Sequence, residues 1–184
     1  MLAEYCAQNP GNCVAEGADN AQITIVEVSD YGCGHCKNFN LDTAGALKAQ
    51  YVDGGQVRWV VMPYALGGTG SGFPTAPSAN AAMCANEQGA FPQFHTALFA
   101  NQSTSAFNNE AGFLATAESL NLDLAAFQEC VENGRFNDTV LQNIQTANQA
   151  GINSTPSFFV NGELVRGNVP LANFQQIIDA QLGS

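Results

Sequence analysis

Two cysteines separated by two residues, Cys33 and Cys36, lie between a strand pattern and a helix pattern. Residues 22–29 alternate and are rich in β-branched side chains, which is typical of a strand buried on at least one face. After the cysteines, apolar residues recur at helical spacing until the glycine pair at 54–55, and residues 56–62 form a second strand pattern. The sequence therefore predicts a βαβ unit with both cysteines at the N-terminus of its helix.

The rest of the chain separates into a helical part and a second strand part. A glycine-rich loop is expected at 67–77, and no β pattern interrupts the residues that follow it up to 150. The predicted helices in that part are 78–88, 91–101, 110–120, 123–133 and 135–150. The chain then returns to strands at 157–160 and 164–166, joined by an Asn-Gly turn, and closes with an amphipathic helix at 171–182.

Charge excludes some classes of function. The chain has 184 residues, a formal net charge of −11 and only five lysines and arginines in total. It carries no basic stripe to neutralise phosphates, so binding to nucleic acid or to an anionic membrane surface is not expected. No apolar run approaches the roughly 20 residues that span a bilayer, and no signal-peptide pattern opens the sequence. A chain of this length predicts one folded unit.

Three other interpretations of the cysteine pair fit the sequence less well than redox chemistry. A zinc site usually needs two such pairs or added histidines, and this chain offers only His35 and His95. Haem attachment needs a histidine directly after the second cysteine, where this chain has Lys37. A purely structural disulfide here would close a very small loop and constrain little of the unfolded chain. The βαβ context therefore favours a redox-active disulfide.

The predicted position of the pair gives its two sulfurs different chemistry. Cys33 would lie at the first turn of the helix, where free backbone N–H groups and the helix dipole favour an anion. Its thiol pKa should therefore be lowered, and the thiolate is the reactive form. Cys36 lies one turn further on and should be more buried, and His35 can add positive charge or a hydrogen bond near the first sulfur.

Two stretches carry a resemblance to a known family. Residues 25–39, IVEVSDYGCGHCKNF, and residues 154–162, STPSFFVNG, resemble the bacterial thiol-disulfide oxidoreductases of the DsbA type in the thioredoxin superfamily. Residues 81–99, AAMCANEQGAFPQFHTALF, resemble the same family's helical region. The resemblance implies an α/β thioredoxin fold at 20–63 and 151–184, with a helical insertion at 64–150, in a single DsbA-like unit spanning 1–184.

The resemblance also implies roles for individual residues. Cys33 would be the exposed sulfur that is attacked, and Cys36 its buried partner. Pro156 would be the cis-proline that faces the disulfide, with Thr155 before it. Glu27 matches the buried acid that assists proton movement at the buried cysteine.

One departure concerns the residues between the cysteines. Gly34 and His35 replace the Pro-His of the best-known DsbA and match the dipeptide of eukaryotic disulfide isomerase. Because this pair tunes the reduction potential, the sequence predicts an oxidising protein without fixing the potential within the range of about −180 to −120 mV.

Four further cysteines remain. Six cysteines allow 15 pairings, and three remain open if Cys33 and Cys36 pair. Some DsbA relatives carry a second disulfide in the helical region, so the resemblance implies a Cys84–Cys130 bond. Cys6 and Cys13 would then close a short N-terminal loop. Free buried cysteines are the alternative for both pairs.

The resulting functional expectation is a dithiol oxidase of oxidative folding, which donates its Cys33–Cys36 disulfide to client proteins with free thiols. The resemblance implies reoxidation by a membrane quinone-linked partner of the DsbB or VKOR kind, and no bound cofactor is needed. The expected location is extracytoplasmic, either periplasmic or on the outer face of the cell membrane, without a signal or anchor in this sequence. A monomer is expected. A reductase or isomerase, a non-catalytic thioredoxin-fold binding module and a metal-binding protein are the alternatives.

Two remaining residues receive structural interpretations. His95 follows Phe94 on a predicted helix and is expected to face solvent or to cap a helix. Trp59 lies in a predicted strand and is expected to belong to the core.

Overall fold

Five strands form one mixed sheet in the computed structural model, which describes residues 1–66 and 74–183. The strands are β1 (Val14–Glu16), β2 (Ile23–Asp30), β3 (Val57–Tyr64), β4 (Ser157–Val160) and β5 (Glu163–Arg166). Their order in the sheet is β1-β3-β2-β4-β5. β2 and β3 are parallel, and the other neighbouring pairs are antiparallel. A parallel pair needs a crossover connection, and the helical segment that begins at Gly34 supplies it.

Helices form most of the remaining chain. α1 (Leu2–Gln8) precedes the first strand, and α2 (Gly34–Asn38) and α3 (Ala44–Leu47) lie between β2 and β3. The helical block consists of α4 (Ala76–Asn86), α5 (Phe91–Ala100), α6 (Glu110–Ser119), α7 (Leu124–Glu132) and α8 (Asn137–Gln149), and α9 (Leu171–Leu182) closes the chain. The helices predicted in this block all occur, with ends that differ from the predictions by at most two residues. The loop predicted at 67–77 falls largely outside the described residues, and α4 begins inside it.

The crossover between β2 and β3 is helical throughout but changes its winding. A π-helical turn, Phe39–Thr43, follows α2, and a second one, Lys48–Val52, follows α3. Such turns are rare and often mark functional sites. The first turn contains Asn40, whose side-chain nitrogen donates to the carbonyl oxygen of Cys36 at 3.1 Å. This turn therefore keeps a polar side chain next to the cysteine pair.

An aromatic cluster fills the core between the crossover helix, the sheet and α9. It consists of Phe39, Trp59, Phe158 and Phe174, all of which are buried. Ring centroids are 4.5 Å apart between Phe39 and Phe158 and 5.0 Å apart between Phe158 and Phe174. Burying a Phe-sized side chain contributes about 1.5–3 kcal/mol, so this cluster fixes the helix that carries the cysteines against the sheet. Trp59 lies in the core, as predicted.

The N-terminal segment contains structure that the sequence patterns did not predict. α1 leads through a disulfide between Cys6 and Cys13, with an S–S distance of 2.07 Å, into β1. β1 pairs antiparallel with β3, so that Val14 lies opposite Val61. The predicted thioredoxin-fold part begins at residue 20, and β1 lies outside that range.

A second disulfide lies within the helical block. It joins Cys84 of α4 to Cys130 of α7, with an S–S distance of 2.04 Å and 46 residues of sequence separation. Both cysteines are buried. Among residues 1–66 and 74–183, none of the helices has the length and apolar content that a membrane span requires.

Candidate active site

Cys33 and Cys36 lie where β2 passes into the crossover helix. Cys33 is the N-cap residue of α2, with an extended backbone (φ −85°, ψ 121°). Its amide donates to the carbonyl of Asp30 at 3.0 Å, which fixes the turn between strand and helix. Cys36 follows one turn later and is fully buried, whereas Cys33 is partly exposed. Both are free thiols in this structure, so the state described is the reduced one.

The environment of Cys33 favours its thiolate. A hydrogen bond from the Cys36 thiol is the largest cause that lowers the pKa of Cys33 to about 5, against the opposing effect of partial burial. The Thr155 hydroxyl and the backbone N–H groups of Cys36 and His35 add to the lowering. These N–H groups belong to the first turn of α2, where an anion is stabilised. At neutral pH this sulfur is therefore mostly ionised.

The environment of Cys36 has the opposite effect. Burial raises the pKa of Cys36 strongly, and the hydrogen bond and negative charge of Cys33 raise it further. The hydroxyls of Thr155 and Ser29 lower the pKa of Cys36 but do not offset burial. A proton shared by the two sulfurs therefore stays on Cys36, which leaves the negative charge on Cys33.

The loop before β4 contacts the sulfur of Cys33. The Thr155–Pro156 peptide bond is cis, and Cys33 Sγ lies 3.3 Å from the Thr155 carbonyl oxygen, which accepts from this sulfur only when it is protonated. The Thr155 hydroxyl is buried and makes no hydrogen bond with any described residue. The hydroxyl can therefore turn toward a cysteine sulfur that becomes negative. Its proximity lowers the pKa of both Cys33 and Cys36. The Pro156 carbonyl accepts from the Gly167 amide at 2.8 Å, which ties this loop to the end of β5.

Glu27 lies on β2 and is fully buried. Ser29 Oγ and Asn40 Nδ2 donate to its Oε1 at 2.7 and 2.8 Å. Trp59 Nε1 donates to its Oε2 at 2.9 Å. A buried carboxylate is costly unless it is hydrogen-bonded, and these three donors satisfy it. Ser29 connects this carboxylate to the cysteine pair, since its hydroxyl also lowers the pKa of the Cys36 thiol.

The expectation that His95 faces solvent is wrong. His95 lies on α5 with only 3% of its surface exposed. Its Nδ1 is 2.8 Å from the Tyr31 hydroxyl, and its Nε2 is 2.9 Å from Asn40 Oδ1. Burial, aided by the positive charge of Lys48, lowers the pKa of His95 to about 3, so the ring is neutral. Its two partners lie 64 and 55 residues away in sequence, and no local pattern signals them.

Gln102 is a second residue that sequence reasoning missed. It follows α5, and its Nε2 donates to the carbonyl oxygens of Tyr31 at 2.6 Å and of Cys33 at 3.0 Å. It therefore holds both ends of the turn that leads into Cys33. The adjacent Ser103 accepts from Lys37 Nζ at 3.4 Å, on the exposed side of the same region.

Gly34 and His35 lie at the surface of the first turn of α2. A Cβ built on Gly34 would meet no atom within 4 Å, so the space beside Cys33 is open. In the part of the chain that the structure describes, no group of three or more His, Cys, Asp or Glu side chains is arranged to hold a metal ion.

Comparison with known proteins places the chain in a family. The thioredoxin family model matches residues 9–180. A thioredoxin-like oxidoreductase of Silicibacter pomeroyi has 30% sequence identity and a TM-score of 0.74, with 94% of each chain covered. The chain therefore belongs to the thioredoxin family.

Other similar proteins include DsbA-type structures. Wolbachia pipientis alpha-DsbA1 has a TM-score of 0.82 at 22% identity, covering 94% of this chain and 92% of that one. The match confirms the predicted thioredoxin fold with an inserted helical block. Disulfide bond formation protein D of Bacillus subtilis is 24% identical over 169 residues, which cover 90% of this chain and 75% of that protein. The predicted resemblance to DsbA-type thiol-disulfide oxidoreductases is thus confirmed.

One relative is much longer than this chain. The Na(+)/H(+) antiporter NhaA 3 of Salinispora tropica is 32% identical over 167 residues, which cover 86% of this chain. The matched part is 23% of the length of that antiporter.

Proposed function

We propose that this protein is an extracytoplasmic thiol-disulfide oxidoreductase that donates a Cys33–Cys36 disulfide to client proteins. The observation that carries the proposal is the inequality of the two thiols. The partly exposed sulfur, Cys33, lies at a helix N-terminus with a pKa of about 5, and the buried sulfur of Cys36 holds its proton. A disulfide between such sulfurs is readily reduced, because reduction produces a stabilised thiolate.

The reaction starts from the oxidised pair. A client thiolate attacks Cys33 Sγ, the Cys33–Cys36 bond breaks, and Cys36 leaves as a thiolate that takes up a proton. A second client thiolate then attacks the client sulfur of the mixed disulfide and releases Cys33 as a stabilised thiolate. The client loses two electrons and forms one disulfide, and the cysteine pair gains the two electrons. Thr155 and Pro156 border the sulfur under attack and form the surface against which a client segment lies.

The magnitude of the thiolate effect supports the direction of transfer. A pKa of about 5 would stabilise the reduced form at neutral pH by about 2.7 kcal/mol. Solvent screens a partly exposed sulfur, so we expect about 1–2 kcal/mol, which corresponds to roughly 20–40 mV in the oxidising direction. The stabilised thiolate therefore raises the reduction potential above that of an unperturbed pair. The other groups around the two sulfurs also contribute to the reduction potential.

The proposed setting follows from the same chemistry. Four further cysteines form two disulfides, which persist in oxidising compartments. The resemblance to DsbA-type proteins supports the proposed partners, which are client proteins with free thiols and a membrane quinone-linked reoxidase that restores the disulfide. We propose that the protein acts as a monomer and needs no bound cofactor for this exchange.

Equilibration of the Cys33/Cys36 pair with glutathione buffers tests the proposal directly. We expect a potential between about −180 and −120 mV, together with oxidation of a dithiol peptide. A potential near or below about −250 mV, with efficient reduction of insulin, would contradict the donor direction. An alkylation midpoint near 8.5 would instead support a non-catalytic binding module.

An isomerase is the second candidate. It is favoured by one feature of the site, the Gly34-His35 pair between the cysteines, which matches the dipeptide of eukaryotic disulfide isomerase. Refolding of a protein with scrambled disulfides distinguishes the two activities, since an oxidase without isomerase activity leaves wrong pairings in place.

A further inference from the structure

A chain of buried and partly buried hydrogen bonds joins the helical block to the Glu27 carboxylate. It runs from Tyr31 at the end of β2 to His95 on α5, then to Asn40 in the crossover helix and to Glu27 on β2. The successive distances are 2.8, 2.9 and 2.8 Å. His95 is the one member that the helical block contributes, and the thiol exchange described above gives it no role.

The chemistry of the last member fixes the direction of every bond. An ionised carboxylate only accepts hydrogen bonds, so the side-chain nitrogen of Asn40 faces Glu27. That nitrogen also donates to the Cys36 carbonyl, which leaves Asn40 Oδ1 toward His95. The ring must then carry its proton on Nε2, and its Nδ1 accepts from the Tyr31 hydroxyl. A neutral imidazole is the form that meets both requirements.

Among residues 1–66 and 74–183, the bond from His95 is the only hydrogen bond that Asn40 Oδ1 accepts. Without it, the Asn40 amide keeps the contacts of its Nδ2 with Glu27, Ser29 and the Cys36 carbonyl but loses the one that fixes its oxygen. Asn40 would then be held less firmly, and its hydrogen bond to the Glu27 carboxylate would weaken. We propose that His95 acts through Asn40 as a positioning residue for the Glu27 carboxylate, the acceptor of the proton that the buried cysteine loses.

A short route connects that carboxylate to the buried cysteine. The Ser29 hydroxyl donates to Glu27 Oε1 at 2.7 Å and is 3.5 Å from Asn40 Nδ2. The same hydroxyl lowers the pKa of Cys36. Ser29 therefore lies where its hydroxyl could take up the Cys36 proton while passing its own proton to Glu27. The charged and titratable groups that face His95 are Tyr31, Lys48 and, through Asn40, Glu27.

The inference rests on the proposed thiol exchange, and a reaction with two separable steps tests both. Reduced protein is mixed with an aromatic disulfide whose released thiolate is coloured. First, the Cys33 thiolate attacks the reagent, forms a mixed disulfide and releases one aromatic thiolate. Second, Cys36 loses its proton and attacks Cys33 Sγ, which forms the Cys33–Cys36 bond, breaks the bond to the reagent and releases the second thiolate. The reagent supplies the two-electron oxidation.

Three variants separate the role of the Nε2 proton from packing. His95→Phe keeps a ring among Tyr31, Phe91 and Phe99 but removes both nitrogens. His95→Gln restores an N–H donor for Asn40. Asn40→Leu breaks the chain at a partly exposed position, where folding is less sensitive to the change.

We expect the first phase to change by less than about twofold in all three variants, since none of the groups that stabilise the Cys33 thiolate is altered. The second phase should slow by about tenfold in His95→Phe and Asn40→Leu at neutral pH, as expected for partial loss of an internal base. The difference should narrow at alkaline pH, where solvent hydroxide removes the proton of Cys36. His95→Gln should recover most of the wild-type rate.

Tyr64→Phe is the matched control, because it removes the hydrogen bond that another buried tyrosine donates to Asn148 at 2.9 Å, away from this chain of bonds. Equal second phases in the wild type, His95→Phe and Asn40→Leu would overturn the positioning role, and so would a slowing that is the same at all pH values. A wild type that releases only one thiolate would instead contradict the proposed exchange itself.

Discussion

The two active-site sulfurs differ because they occupy opposite ends of one helical turn. Cys33 precedes the first N–H groups of α2 and touches the loop of Thr155, while Cys36 lies inside the core. The helix terminus supplies donors to the first sulfur, and burial withholds water from the second. One turn of sequence thus separates a stabilised thiolate from a thiol that keeps its proton.

The alkylation of Cys33 in the reduced protein should follow its thiolate fraction. We expect the rate to rise with pH through a midpoint of about 5 and to be constant above neutral pH. In Cys36→Ala the midpoint should rise by about one to two pH units, because the largest stabilising hydrogen bond is lost. Stopped-flow alkylation with mass spectrometry checks this, and an unchanged midpoint in Cys36→Ala would contradict the assignment of that hydrogen bond.

Glu27→Gln should destabilise the fold although the two side chains have nearly the same shape. The carboxylate accepts three donors, and a glutamine would turn its NH2 group toward at least one of them. An unsatisfied buried donor costs about 1–3 kcal/mol. Urea unfolding measures the loss. Glu110→Gln, at an exposed position of α6, should stay within about 0.5 kcal/mol of the wild type.

At the scale of elements, two helical glycines differ in what surrounds them. A Cβ on Gly45 in α3 would meet nothing within 4 Å, whereas a Cβ on Gly112 in α6 would lie 1.7 Å from the carbonyl oxygen of Ala106. Gly45→Ala should therefore stabilise the protein by about 0.5–1 kcal/mol through helix propensity. Gly112→Ala should destabilise it by more than about 2 kcal/mol, because the backbone must move. Urea unfolding of both variants tests the contrast, and equal shifts of the same sign would contradict it.

Long, periodic elements could be predicted from sequence, and short or nonlocal features could not. The strand at 157–160 and the helix at 171–182 have the predicted bounds, since each carries a strong pattern with a clear turn before it. β1 has three residues and gains its structure from pairing with β3, so its own sequence shows little. The π-helical turns leave apolar spacing nearly helical and gave no separate signal.

The candidate site follows the same rule. The positions of Cys33 and Cys36 at the start of a helix could be predicted, because the strand, the cysteines and the helix are contiguous in sequence. The burial of His95 could not be predicted, because its hydrogen-bond partners come from other parts of the chain. The role of Gln102 could not be predicted for a similar reason, since its two carbonyl partners are 71 and 69 residues away in sequence.

At the scale of the whole molecule, the two structural disulfides should contribute unequally. The Cys84–Cys130 bond closes a separation of 46 residues and the Cys6–Cys13 bond one of 7. The chain-entropy relation gives about 4 kcal/mol for the first and about 2 kcal/mol for the second. We expect the double alanine variants to lose stability in that order under urea, with similar m-values. A larger loss at the N-terminal bond would indicate that packing of α1, rather than loop closure, dominates there.

The two hydrogen bonds of Gln102 bear on any attempt to trim this protein to a minimal thioredoxin. Deleting the segment between β3 and β4 would remove Gln102. The carbonyl oxygens of Tyr31 and Cys33, in the turn before α2, would then lose the side-chain amide that donates to them. A shortened version would therefore need a substitute side chain at that spot before its cysteines could be compared with those of the intact protein.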